Sequence, residues 1–373
     1  MTQYGEDVPA YRTIRVTSPE APVEALTDLE AWRAREAYPD ILSAGGPVFG
    51  VAVEREQGGW RLRPHLSNPT PQGAREGMSS IFRRMAQEAE QAGDLDARRE
   101  CTAAAERLDW EVVDELTVRG VRHRVVRAES FIRMGPDGPE PPRPSDPDPA
   151  RVGKGHQAPD PTDGFVIDPV AATGMSTGIL KVELLSLVCK AGTVPAAVRE
   201  DSVRAAATHP GGVLLPPTYM TAERIGGRWV PESGGHATTP QGARDGMALG
   251  FRVMEPVLRR LGPQETAEYL RAADLLDEQR SNELEVAGRR LRVVRIERLV
   301  RIGPDGPEGP RPSDPDPEPP IMVHDQQLRA QGLIPEEDDE DDEAPIQLDA
   351  TGQELARRFR EEEERRARLG LNR

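Results

Sequence analysis

Thr70-Pro71-Gln72-Gly73-Ala74-Arg75-Glu76-Gly77-Met78 returns 169 residues later as Thr239-Pro240-Gln241-Gly242-Ala243-Arg244-Asp245-Gly246-Met247. The run RMGPDGPEPPRPSDPDP at 133–149 returns at 301–317 as RIGPDGPEGPRPSDPDP, shifted by 168. One chain therefore carries two copies of one unit, and whatever fold the first adopts the second is expected to share. Each nonapeptide reads as a helix start: threonine is a good N-cap, and proline suits the first helical turn.

Working outward, apolar residues at Ala74, Met78, Ile81, Phe82, Met85 and Ala89 fall on one face of a helix over residues 71–91. Upstream, a helix over 23–37 precedes a strand over 48–56 and a return strand over 60–66. Downstream, a helix over 94–108 precedes a hairpin of 110–118 and 121–134, turning at Arg119-Gly120. Copy two repeats this order with helices at 195–207 and 264–280, strands at 213–224 and 228–231, and a hairpin turning at Ala287-Gly288. An apolar helix over 179–190 has no counterpart in copy one, and Pro256 should kink the capped helix. The expected fold is α+β: two tandem repeats of order α-β-β-α-α-β-β, each an antiparallel sheet of about four strands with helices mainly on one face. A pseudo-twofold should relate them. The expected organisation is a tail at 1–10, unit one at 11–150, a polar linker at 151–163, unit two at 164–320, and a segment at 321–373 with a final charged helix from 351 to 369.

The formal net charge is −16, and eight of those charges lie in the run EEDDEDDE at 336–343. The remaining body is near balance and lacks the positive field that nucleic acid requires, so no nucleic-acid partner is expected. The like charges at 336–343 repel one another, which predicts disorder there. Basic residues are 45 arginines against three lysines. No apolar stretch approaches the ~18 residues of a membrane span, so no membrane association is expected. Cys101 and Cys189 form no CxxC pair, which fits a reducing cytoplasm.

No recognisable catalytic constellation stands out. The six histidines show no metal-ligand spacing, and Gly174 to Lys181 misses the phosphate-loop pattern. Asp137, Asp146 and Asp148 lack the closing glutamate of a calcium loop. Neither metal nor cofactor is expected. The best ligand candidates are the two helix starts, where free N–H groups and the dipole favour an anion. Thr70, Gly73 and Arg75 would form one site, Thr239, Gly242 and Arg244 the other, with His65 and His236 in the preceding loops. The competing reading of Gly73 and Gly77 is close packing on one helix face. Arg127, Glu129 and Arg133 recur as Arg295, Glu297 and Arg301, which implies an arginine-rich sheet face opposite the core face. The Pro-rich run at 142–149 reads as a polyproline-like strap, packed on the surface or presented to a partner.

The TPQGAR(E/D)GM start and the GPDGPE…PRPSDPDP run resemble a domain of unknown function found in actinobacterial proteins, over residues 11 to 320. That resemblance carries no assigned reaction and no catalytic residue. The expected function is a non-catalytic cytoplasmic binding or scaffold protein, as a monomer with an internal pseudo-dimer or as a homo-oligomer. Leu348, Leu355 and Phe359 mark a stripe through which residues 349–370 would meet a protein partner. The alternative is a small-anion-binding enzyme or sensor, with its site at the inter-unit cleft near the two helix starts.

Overall fold

The computed structural model describes residues 9–64, 66–232, 235–334 and 348–370. The acidic run at 336–343 and His65 lie outside them. Among the described residues the fold is mixed α+β, built on one sheet of twelve strands whose named pairings are all antiparallel.

Copy one begins with α1 (Pro22–Ala37), β1 (Asp40–Ser43), β2 (Val48–Glu54) and β3 (Trp60–Leu62). The capped helix is α2 (Pro71–Gln91), followed by α3 (Leu95–Trp110), β4 (Glu115–Val118), the long β5 (Val121–Gly135) and β6 (Gly138–Pro139). Met78 and Phe82 of α2 pack with Cys101 and Leu108 of α3 against Phe49, Val51 and Val125 of the sheet. Arg119 and Gly120 both take positive φ, which closes the β4–β5 hairpin in two residues.

After β7 (Val166–Ile167) come α4 (Met175–Ser186), α5 (Ala196–Thr208), β8 (Gly211–Ile225), β9 (Arg228–Pro231) and α6 (Pro240–Leu249). The capped helix then widens into a π turn (Gly250–Met254) before α7 (Glu255–Leu258). Pro256 has no N–H to give the carbonyl of Arg252, four residues back. Arg358 donates to that carbonyl at 3.3 Å. The chain continues through α8 (Pro263–Gln279), β10 (Glu283–Val286), β11 (Arg289–Gly303), β12 (Gly306–Pro307), α9 (Ile321–Ala330) and α10 (Ala350–Arg368), the helix that carries Arg358.

The long strands β5 and β11 join the copies, with Ile132 opposite Ile296, Ser130 opposite Arg298, and Ala128 opposite Val300. One core cluster draws on both copies: Val48, Ala52, Leu62 and Val126 pack with Val213, Leu215, Val300 and Ile302. The helix without a counterpart, α4, sets Leu180 and Leu184 on Phe131 and Leu299 over this junction.

The arginine-bearing face differs from the solvated face that the alternation predicts. Arg127, Arg133, Arg295 and Arg301 are buried, and β11 has almost no exposed position. Arg133 is covered by α4 through Glu183, and Arg301 by the carbonyls of Leu184, Leu185 and Leu187 at its end. Arg127 and Arg295 are covered by the Pro-rich straps, each of which crosses onto the other copy. Arg295 N donates to Glu140 O at 2.9 Å, and Arg127 N to Glu308 O at 2.9 Å. Arg295 pairs with Asp146 at 3.1 Å, and Arg127 with Asp314 at 3.0 Å. Arg143 reaches Glu297, and Arg311 reaches Glu129. A proline-rich segment offers few N–H groups, so side chains supply most of the polar partners.

Candidate functional site

In α2, Thr70 Oγ1 accepts from Gly73 N at 3.3 Å, as an N-cap does. The free N–H of Gln72 donates to Asp316 Oδ1 at 2.9 Å, and Arg75 Nη1 to Asp316 Oδ2 at 2.6 Å. Arg75 Nε takes Asp114 at 2.8 Å. In α6, Thr239 caps Gly242 N at 3.1 Å, Gln241 N donates to Asp148 Oδ1 at 2.8 Å, and Arg244 pairs with Asp148 and with Asn282. Each helix start thus holds an anion, and the anion is a strap carboxylate from the other copy. Burial alone would lower the pKa of Arg75, but Asp114 and Asp316 hold it above the usual arginine value. Arg75 and Arg244 are each 3% exposed and end in separate carboxylate pairs.

The glycines divide. Gly73 lies against Asn68, and Gly242 against Ala237 and the backbone of Gly155 in the segment between the copies. That segment is held by Asp245, which accepts from Gly153 N at 2.9 Å and Gly155 N at 2.7 Å. Packing therefore accounts for Gly73 and Gly242. A Cβ on Gly77 or Gly246 would meet nothing within 4 Å, so packing does not account for them.

His236 sits beside β8, its Nδ1 3.0 Å from Thr218 Oγ1. Burial, with the charge of Arg298 adding, lowers its pKa to about 4, so it is neutral at pH 7. His236 and Gly242 line a groove of about 710 Å³ between β8 and α6, together with Met220, Gly246, Phe251 and Met254. Glu223, Glu232, Glu255 and Arg259 line its polar part. Behind them Arg289 takes Glu223 at 2.7 Å, Glu232 at 2.9 Å and Glu255 at 3.2 Å. Thr239 and Arg244 face the strap, not this groove. A shallower depression of about 840 Å³ runs along α10 past Leu348, Ala356 and Phe359 and is lined by that segment alone.

Sequence reasoning considered Asp148 only as a calcium ligand and did not place Asp316. The signal was available in the duplicated SDPDP, since an anion-binding helix start repeated twice needs an anion repeated twice. The cluster around Arg289 carried no such signal, because its four members lie on four separate elements. Among the described residues, no group of three or more His, Cys, Asp or Glu is placed to hold a metal ion. No helix among them is long and apolar enough to cross a membrane.

One family model matches residues 21–317, most of the chain. The chain belongs to the family of unknown function DUF5954. In this family member the match ends at the close of the second strap and leaves out α9 and α10. Neither a curated protein nor a solved structure matches the chain.

Proposed function

We propose that this chain is a non-catalytic cytoplasmic binding or scaffold protein whose two copies form a pseudo-twofold body locked by exchanged straps. The observation that carries the reading is the reciprocity of the strap contacts. Asp316 on Arg75 is matched by Asp148 on Arg244, and Glu308 on Arg127 by Glu140 on Arg295. The strand pair Ser130–Arg298 joins positions related by the 168-residue shift, which supports a pseudo-axis at that pair. A fused homodimer would have this arrangement. The anion chemistry of both helix starts is then used for assembly, which leaves surfaces such as the groove of copy two and the exposed side of α10 for ligands.

The alternative, a small-anion sensor at the helix starts, requires an anion to displace Asp148 or Asp316. Thermal melting with millimolar phosphate, sulfate and ATP separates the two. A latch predicts no specific shift in the native chain, and a phosphate-dependent rise in Asp148→Ala or Asp316→Ala, whose vacated sites accept the ion. A rise in the native chain that disappears in Arg75→Ala would establish the sensor instead.

A further inference from the structure

Residues 60–81 and 229–250 align without a gap, yet Leu66 stands where copy two has Gly235, and Ile81 where it has Gly250. In copy one Leu66 is 2% exposed and covers Gly50, and Ile81 packs on the core. In copy two a Cβ at Gly235 or Gly250 would meet nothing within 4 Å, and the 710 Å³ groove opens at that place. A second change charges its wall. The hairpin pairings Glu54–Trp60 and Arg224–Trp229 set Val53 against Glu223. By the copy offsets, Arg63, Ala86 and Val121 correspond to Glu232, Glu255 and Arg289. These four replacements come from separate elements and meet in one cluster. Two apolar side chains lost, three charges introduced and one charge reversed together describe a site, not drift of a surface. The π turn at Gly250–Met254 forms one side of it, as such turns often do at functional sites.

We propose that this groove binds a small amine, with an apolar body lying along Met247, Phe251 and Met254 and a cationic head at Glu232. The volume is that of a small-molecule site, about 300–1,000 Å³. Methionine side chains adapt to irregular apolar shapes. The three carboxylates outnumber Arg289 and Arg259, so the cluster keeps one negative charge. Burial raises the pKa of Glu232 despite Arg289, and Glu255 and Glu223 add to the rise; a bound cation relieves that cost. The proposal rests on the binding reading above only in that the amine is held unchanged.

Hexylamine, hexanol and hexanoate share a chain and differ in the head, and each can be titrated into the full-length protein by calorimetry and thermal melting. Saturating hexylamine should raise the melting temperature by about 2–5 °C. Hexanol should bind at least about tenfold more weakly, because it forms no ion pair. Gly250 has helical φ and ψ and free space, so Gly250→Ile should fold, fill the groove as Ile81 does in copy one, and abolish binding. Glu232→Gln should erase the preference for the amine over the alcohol. No binding by any of the three, hexanoate binding as well as hexylamine, or undiminished binding to Gly250→Ile would each overturn the proposal. Chemical conversion of the amine during incubation would instead refute the non-catalytic reading and leave the site standing.

Discussion

Asp148 and Asp316 make the same contact with unequal support. Arg75 keeps the carboxylate of Asp114 if Asp316 is neutralised, whereas Arg244 keeps only the neutral amide oxygens of Asn282 and Gln241. Both aspartates retain about a quarter of their side-chain exposure, which tempers the loss. Asp316→Asn should therefore cost about 1–2 kcal/mol and Asp148→Asn about 2–4 kcal/mol in urea unfolding. The reverse order would show that the neutral partner Asn282 does the same work as Asp114. His236 contributes a pH dependence of definite sign. Its folded pKa, about 4, lies below the ordinary 6.5, so the unfolded chain binds the proton first. Its contribution is complete above pH 6.5 and is lost as pH falls toward 4, a difference on the order of 2–3 kcal/mol. His236→Asn keeps an acceptor for Thr218 and should flatten the stability curve over that interval. A curve unchanged by the substitution would place the titrating group elsewhere.

At the level of elements, the helices were the most legible. Thr70-Pro71 and Thr239-Pro240 fixed two starts, and the apolar spacing of Met78 and Phe82 identified the buried face. Phe82 is fully buried, so Phe82→Ala should cost about 3–5 kcal/mol. A urea midpoint near that of the native chain would contradict its place in the core. The short strands β1, β6, β7 and β12 were not legible, because two to four residues cannot display a period by themselves; the equally short β3, β4, β9 and β10 were read from a hairpin turn and a longer partner strand. Nor was the destination of the straps: an identical SDPDP in each copy satisfies either copy's arginines equally well on paper. What selects the exchange is geometry at the strap turns. Gly306 takes φ +110° and lies against Trp60, while Gly138 takes φ +115° and lies against Trp229. Arg124 and Arg292 stack over those same rings at 4.9 and 4.8 Å. A methyl group at Gly306 meets both an unfavourable φ and the indole. Gly306→Ala should cost about 2–4 kcal/mol, and tryptophan fluorescence should report the displaced ring. A silent spectrum with native stability would mean the turn tolerates a side chain.

For the whole molecule, the boundary of the folded body is the open mechanical question. The family match stops at residue 317, while α10 docks on the π turn through Arg358 and through Glu362, which is 5% exposed. Arg252 keeps Asp274 and Asp277 when α10 is removed. Truncation after Pro320 should lower the melting temperature by no more than about 2–4 °C; a fall of many degrees would show that the last two helices belong to the fold. The candidate site was the least legible part at this scale. Glu223, Glu232, Glu255 and Arg289 each look like an ordinary surface charge until β8, α7 and β11 bring them together. Only the comparison of one copy with the other singles them out.

The strap exchange also sets a timetable for synthesis. Arg75 waits for Asp316, 241 residues further along the chain. At ribosomal rates that interval is roughly 10–50 s. Through it the nascent first copy shows guanidinium groups that lack their strap carboxylates and an uncovered strand edge at β5, the edge that β11 will later occupy. The second copy meets a strap already made, because residues 138–149 emerge before Arg244 and Arg295. Copy two can close as it leaves the ribosome, whereas copy one is finished last although it was made first.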